Sequence, residues 1–202
     1  MKAKASLIVL AALATSSTAV MGQELLFNPG FEDIDLNGDF GDGWGAFGAA
    51  GFNNFFGPNG HASLFSDNIG NFGGVFQTGI AGGAGAEYQF DLLDVRLEDN
   101  IAADYRFGLE YFAADDSTKL GDTIVPISLS PTGDGLSFSM TGTAPAGTAF
   151  VRPIIQYDNV TSTANGQENA FIFEASLTVV PAPSALAGLA LAGVAAGTRR
   201  RR

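Results

Sequence analysis

Tyr105-Arg106-Phe107-Gly108-Leu109-Glu110-Tyr111 alternates a large apolar side chain with a polar or small one at every step. Successive side chains of a strand point to opposite faces, so this period of two puts Tyr105, Phe107, Leu109 and Tyr111 on one side. Three other stretches repeat the pattern. Ala86, Tyr88, Phe90 and Leu92 alternate with Glu87, Gln89 and Asp91. Leu136, Phe138 and Met140 alternate with Ser137, Ser139 and Thr141. Phe171, Phe173, Ala175, Leu177 and Val179 alternate with Ile172, Glu174, Ser176 and Thr178. Each gives one buried and one wet face, as antiparallel sheet requires. Further strand candidates are Glu24–Phe27, Ala62–Phe65, Gly74–Gln77, Thr123–Leu129 and Ala149–Tyr157. Pro153 has no N–H for a ladder, so the last is expected at a sheet edge or with a bulge. Asp115-Asp116-Ser117, Pro131-Thr132-Gly133-Asp134-Gly135 and Pro145-Ala146-Gly147 read as turns. No long stretch outside the two ends has helical periodicity. The expected fold class is all-β: an antiparallel β-sandwich of jelly-roll type.

The ends differ from this body. Lys2 and Lys4 precede an apolar run Ser6–Ala14 and then small residues, the order of a secretory signal peptide. Val20 and Gly22 suit cleavage before Gln23; Ser17 and Ala19 offer a cut before Val20. At the other end, Val180-Pro181-Ala182-Pro183-Ser184 leads into the apolar run Ala185–Gly197 and then Arg199, Arg200, Arg201 and Arg202. As a helix that run spans about 20 Å, short of the roughly 30 Å hydrocarbon core. Leu186, Leu189, Leu191 and Val194 contribute about −1 to −2.5 kcal/mol to insertion, a weak anchor. The arginines would stay cytoplasmic, with the body outside. Three regions follow: a signal peptide (1–22), one β-sandwich domain (23–180) and a tail (181–202) made of a motif at 181–184, a short C-terminal apolar helix at 185–198 and the arginine cluster.

All 21 acidic residues lie between Glu24 and Glu174, whereas Arg96, Arg106, Lys119 and Arg152 are the only basic residues in that stretch. The body therefore carries −17, against −11 for the whole chain. Such a surface repels nucleic acid and favours cations. There is no cysteine to form a disulfide. His61, the single histidine, would have to serve as base in any nucleophilic triad, and no nucleophile-elbow pattern accompanies it. Neither a phosphate loop nor a dinucleotide fingerprint is present. The reading is a protein that is not an enzyme.

Two resemblances sharpen these expectations. The tail, with Pro181-Ala182-Pro183-Ser184, an apolar helix and terminal arginines, resembles the PEP-CTERM sorting signal of bacterial exported proteins, with Ala182 where the family has Glu. The resemblance implies processing by signal peptidase and by an exosortase, and transient anchoring in the membrane through the tail. It also implies delivery to the cell envelope or the extracellular biofilm matrix. The body's opening, Leu26-Phe27-Asn28-Pro29-Gly30-Phe31-Glu32 with Trp44 after it, resembles galactose-binding-like jelly rolls, among them carbohydrate-binding modules. The strand around Phe173-Glu174 resembles their closing strand. That resemblance implies pairing of first and last strands, a core position for Trp44, and Glu32 and Glu174 beside a structural calcium.

Asp33-Ile34-Asp35-Leu36-Asn37-Gly38-Asp39 matches the first half of a calcium loop, D-x-D-x-N-G. Oxygen ligands at Asp33, Asp35, Asn37 and Asp39 can converge on one hard cation, and the ordinary alternative is a solvated acidic loop. The twelfth position is Trp44 rather than a bidentate Glu, so this is not an EF-hand. Phe40–Gly60 is rich in Gly, Asn and aromatics. Phe47, Phe52, Phe55 and Phe56 are candidate stacking rings for a glycan, set against the commoner role of filling a core. The glycines favour a partly exposed loop. Two functions stand: an exported glycan-binding protein, or a structural, adhesive matrix protein whose acidic surface is bridged by calcium.

Overall fold

In the computed structural model, which describes residues 22–54, 59–66, 69–97, 101–128, 135–163 and 168–181, every alternating stretch is a strand. The elements are β1 (Trp44–Gly48), β2 (Ala50–Asn53), β3 (His61–Ser66), β4 (Gly73–Gln77), β5 (Ile80–Ala81), β6 (Glu87–Leu97), β7 (Ile101–Phe112), β8 (Lys119–Ile127), β9 (Leu136–Thr143), β10 (Phe150–Thr163) and β11 (Glu168–Val180). They form two antiparallel sheets. The first runs β1-β4-β10-β7-β8, with β5 also paired to β10; the second runs β2-β3-β11-β6-β9. The expected all-β jelly-roll sandwich is therefore the fold. Among the described residues no helix is long and apolar enough to cross a membrane. The signal-peptide stretch up to Met21, the tail from Ala182 on, and Phe55 and Phe56 lie outside the described residues.

The core lies between the sheets. Tyr105, Phe107, Leu109 and Tyr111 of β7 meet Tyr88, Phe90 and Leu92 of β6, all at most 4% exposed. Phe90 and Phe107 touch across the gap, centroids 5.6 Å apart. The chain changes sheet at Ala49, between β1 and β2. There the Ala49 N–H donates to Phe72 O at 2.9 Å, and Ala49 O accepts from Phe65 N. Tyr157, on β10 of the first sheet, donates its hydroxyl to Ala49 O (3.1 Å) and Phe65 O (2.6 Å), pinning that corner to the second sheet.

Four expectations are corrected. Alternation does not run straight through β6 and β11. Asp94 takes a left-handed φ of 51° where the β6–β9 register slips, so Leu92 and Val95, three apart, both point inward. Their β11 partners Ala175 and Ile172 follow them, which buries Ile172 although it was expected on the wet face. Pro153 is not on an edge strand, and the register shift that β10 does carry lies further along, between Asp158 and Ser162. β10 is central, and Pro153 falls between the residues paired to β5 (Phe150, Val151) and those paired to β4 (Ile154–Tyr157). Glu24–Phe27 is not a strand, although it runs beside β11 through Leu25 N to Leu177 O. Nor is Phe40–Gly60 a single loop, since β1 and β2 occupy its middle.

His61 is fully buried on β3, with Phe171 at 5.2 Å and Phe173 at 5.1 Å between centroids. Arg96 covers the Phe173 ring at 4.6 Å. Burial lowers the His61 pKa below its ordinary 6.5. The unfolded chain thus binds more protons than the fold at and below pH 6.5, and stability falls as pH is lowered through that range, by at most ~1.36 kcal/mol per unit. Urea midpoints between pH 7 and pH 5.5 check this: the slope should vanish in His61→Phe, and an unchanged slope would refute it.

Candidate functional site

The Asn28–Glu32 segment ties the N-terminal stretch to the sandwich. Asn28, 6% exposed with φ 58°, accepts from Glu32 N at 2.8 Å and donates to Glu32 O at 2.7 Å and Asp42 O at 3.2 Å. Its own carbonyl accepts the indole N–H of Trp44 at 2.9 Å. The turn this creates drives Phe31 (0% exposed) inward, 4.8 Å from Trp44 and 5.9 Å from Phe52 between centroids. Trp44 is thus a core ring, as expected. Phe52, a candidate glycan ring, stacks on Phe31 and packs against the core.

The acidic loop follows. Among the described residues, Asp33, Asp35 and Asp42 offer carboxylate oxygens within 4.8 Å of one another. Backbone amides shape the group. Ile34 N (2.7 Å) and Asp35 N (3.2 Å) donate to Asp42; Asn37 N (3.1 Å) and Gly38 N (2.9 Å) donate to Asp33. The Asn37 side chain donates to Asp35 at 3.0 Å and accepts from Asp39 N at 2.7 Å. Each oxygen of Asp33 and Asp35 accepts one donor and keeps a second lone pair, while Asp42 Oδ2 takes two amides and leaves Oδ1 to meet an ion, so the three groups suit a hard cation with oxygen ligands. Asp33 and Asp35 meet as the motif implies. Asp42 was missed, because it lies nine residues beyond Asp33 and outside the short template. Asp39 is not part of the converging group. Glu32 and Glu174 sit elsewhere, around a shallow depression of about 450 Å³ shared with Asn28, Asn59 and Phe173.

A different surface holds Phe47. Gly45 pairs with Phe76 and Phe47 with Gly74, while Ile154 pairs with both Phe76 and Gly108. These residues share the face of the first sheet that points away from the buried Val75 and Ile155. Each ring lies over a glycine, which leaves room for it. A Cβ on Gly45 would stand 2.7 Å from the Phe76 ring, and one on Gly74 would stand 2.6 Å from the Phe47 ring. Both rings are half-buried, 6.2 Å apart and inclined at 42°. Next to them, Arg152 lies between Phe76 (5.4 Å) and Phe112 (4.3 Å). Its guanidinium donates to Glu110 at 2.7 Å. Lys119 bridges Glu110 and Asp122, each at 2.7 Å. Expected on a wet face, Glu110 is 7% exposed because these two cations and the rings close over it. Gln156 and the Arg106–Asp158 ion pair continue the face. Sequence reasoning missed Phe76 and Arg152; only their parity with Phe47 and Glu110 across the ladder brings them together.

No protein-family model matches this sequence, and no curated protein does. Solved structures do share its shape. The enzymatically active domain of bacteriophage CBA120 tailspike protein 4 superposes with a TM-score of 0.56 at 11% identity, over 78% of this chain and 21% of that one. This chain therefore spans about a fifth of the tailspike chain. The CBM22-1 xylan-binding domain of Paenibacillus barcinonensis Xyn10C gives 0.52 at 12% identity, over 80% of this chain and 97% of that one. The module TmCBM61, solved with β-1,4-galactotriose, gives 0.48 at 13%, over 78% and 99%. The fold is a β-sandwich found in carbohydrate-binding modules. At such identities the likeness is one of fold, and function has to come from the site.

Proposed function

We propose that this chain is an exported, non-enzymatic polysaccharide-binding protein whose ligand lies on the outer face of the first sheet, across Phe47 and Phe76. The observation that carries the reading is the pair of half-buried rings seated over Gly45 and Gly74 beside Arg152, Gln156 and Glu110. A flat ring accepts the apolar face of a sugar, and the polar neighbours fix its orientation. The signal peptide and the tail of Pro181–Ser184 and Arg199–Arg202 would deliver the body to the envelope or matrix by way of signal peptidase and an exosortase. Mass spectrometry of the mature protein tests that route, because an intact Arg202 would contradict tail cleavage.

Covering each ring removes about 40–60 Å² of apolar surface from water, or ~1–1.5 kcal/mol. Phe47→Ala and Phe76→Ala are each expected to weaken retention in affinity electrophoresis about tenfold. A double variant that folds and binds like the parent would end this reading. A second reading rests on the Asp33, Asp35 and Asp42 group. Those residues, with Asn37, would hold calcium, stiffening the loop that Asn28 joins to the sandwich and bridging the acidic body to other matrix components.

A further inference from the structure

The four cations of the body set the charge a ligand can carry. Arg96 is held by Asp94, Arg106 by Asp158, Lys119 by Glu110 and Asp122, and Arg152 by Glu110. Three of them lie on the outer face of the first sheet. There, among the described residues, Arg106, Lys119 and Arg152 share a side with four carboxylates, Asp104, Glu110, Asp122 and Asp158, and pair with the last three. Over the described residues the face therefore carries a net charge of about −1, on a body of 21 acids and four bases. Binding a uronate or sulfate needs a cation whose hydrogen-bond donors point at the ligand. Here each cation has a carboxylate partner. Drawing it away would break a pair and leave Glu110, with a side chain 9% exposed, buried beside fewer counter-charges. Beyond contact range, the acidic body repels a polyanion through solvent.

We propose that the ligand is an uncharged glycan chain, and that cation pairing on this face excludes polysaccharides bearing uronate or sulfate. The proposal rests on the glycan-binding reading of Phe47 and Phe76, and goes beyond it by assigning the ligand's charge class. Stacking on rings is insensitive to salt, whereas recognition through cations weakens steeply with it.

The test is affinity electrophoresis of the mature body, in chelator so that calcium bridging plays no part. The probes are neutral galactomannan and hydroxyethylcellulose set against polygalacturonate and alginate, at about 20 mM and about 500 mM salt. The expected result is retention by a neutral polymer, changed less than about twofold by salt and lost in Phe47→Ala and Phe76→Ala, with none by the anionic ones. Circular dichroism establishes that both variants are folded. Retention by polygalacturonate that depends on the two rings overturns the charge assignment and leaves the glycan reading standing. Absence of retention by every polymer overturns both. Asp158→Asn gives a gain-of-function check. It frees Arg106 at a half-exposed pair, and weak retention by polygalacturonate, absent in the parent, should appear at about 20 mM salt. No gain would refute the role given to this pair.

Discussion

Asn28→Ala is expected to lower folding stability by about 3–4 kcal/mol, read as a shifted urea midpoint at unchanged slope. Three side-chain hydrogen bonds disappear. The Glu32 N–H and the Glu32 and Asp42 carbonyls lose their partner in a half-buried setting, at ~1 kcal/mol each. Alanine also tolerates the left-handed φ of 58° less well than asparagine. For a domain of this size the melting temperature should drop by about 6–16 °C. Two companions separate the causes. Asn28→Gly removes the backbone strain and should recover about 1 kcal/mol. Asn28→Asp keeps the acceptor for Glu32 N but faces the two carbonyls with an oxygen in place of an N–H, so it should be at least as damaging as alanine. A loss below 1 kcal/mol in Asn28→Ala would show that Phe31 and Trp44 hold the turn without it.

This expectation makes the Asn28–Glu32 motif structural. The motif is short as a sequence signal; its physical content is that one side chain satisfies three backbone groups, and only Asn carries the matching donor and acceptor on so short a stem. The ring it delivers, Phe31, is itself at φ 54° and fully buried. A large side chain in that conformation persists only where its surroundings over-determine it, here between Trp44 and Phe52.

The strands were legible where burial alone decides the pattern. Residues 86–92 and 105–111 must put one face into the core, and any slip of register would expose it. Legibility ended where a local irregularity changes phase. Nothing in Leu93-Asp94-Val95 announces the slip at Asp94, yet it flips both β6 and the facing part of β11, and so buries Ile172. The N-terminal stretch misled for another reason. The Glu24 carboxylate accepts the amides of Leu26 (2.8 Å) and Leu177 (2.9 Å), so a side chain replaces part of the ladder that β-propensity led one to expect.

At the site, residue type was readable and orientation was not. Phe47 and Phe52 have the same sequence character. One lies on the outer face over Gly74 and the other on the inner side against Phe31, because the chain crosses between sheets at Ala49. Phe76 reads as an ordinary strand aromatic. What makes it a platform is Gly45 opposite it on β1, a partner that sequence distance hides. Glu110 likewise reads as solvent-facing until Arg152 and Lys119 arrive from β10 and β8.

Calcium added to chelator-treated protein is expected to stabilise it by ~2.7 kcal/mol at a hundredfold excess over Kd, a rise of about 5–11 °C in melting temperature. The charges on Asp33, Asp35 and Asp42 lie within 4.8 Å of one another. Even in a water-like dielectric each pair at such a distance repels by about 1 kcal/mol. The amides of Ile34, Asp35, Asn37 and Gly38 offset part of this, so the loop keeps its shape without an ion while its charge remains uncompensated. A divalent cation removes the repulsion outright. Calcium should act better than magnesium, because a flexible carboxylate set suits its larger and more variable shell. Substituting Asp33, Asp35 and Asp42 together by Asn separates this from a nonspecific effect of charge. In chelator the variant should be as stable as the parent or more so, since the repulsion is gone and the side-chain oxygens still accept the loop amides. In calcium it should show no rise. A parent that melts at the same temperature with and without calcium would refute the site. So would a variant that keeps the full rise, because the ion would then be bound elsewhere on the acidic body.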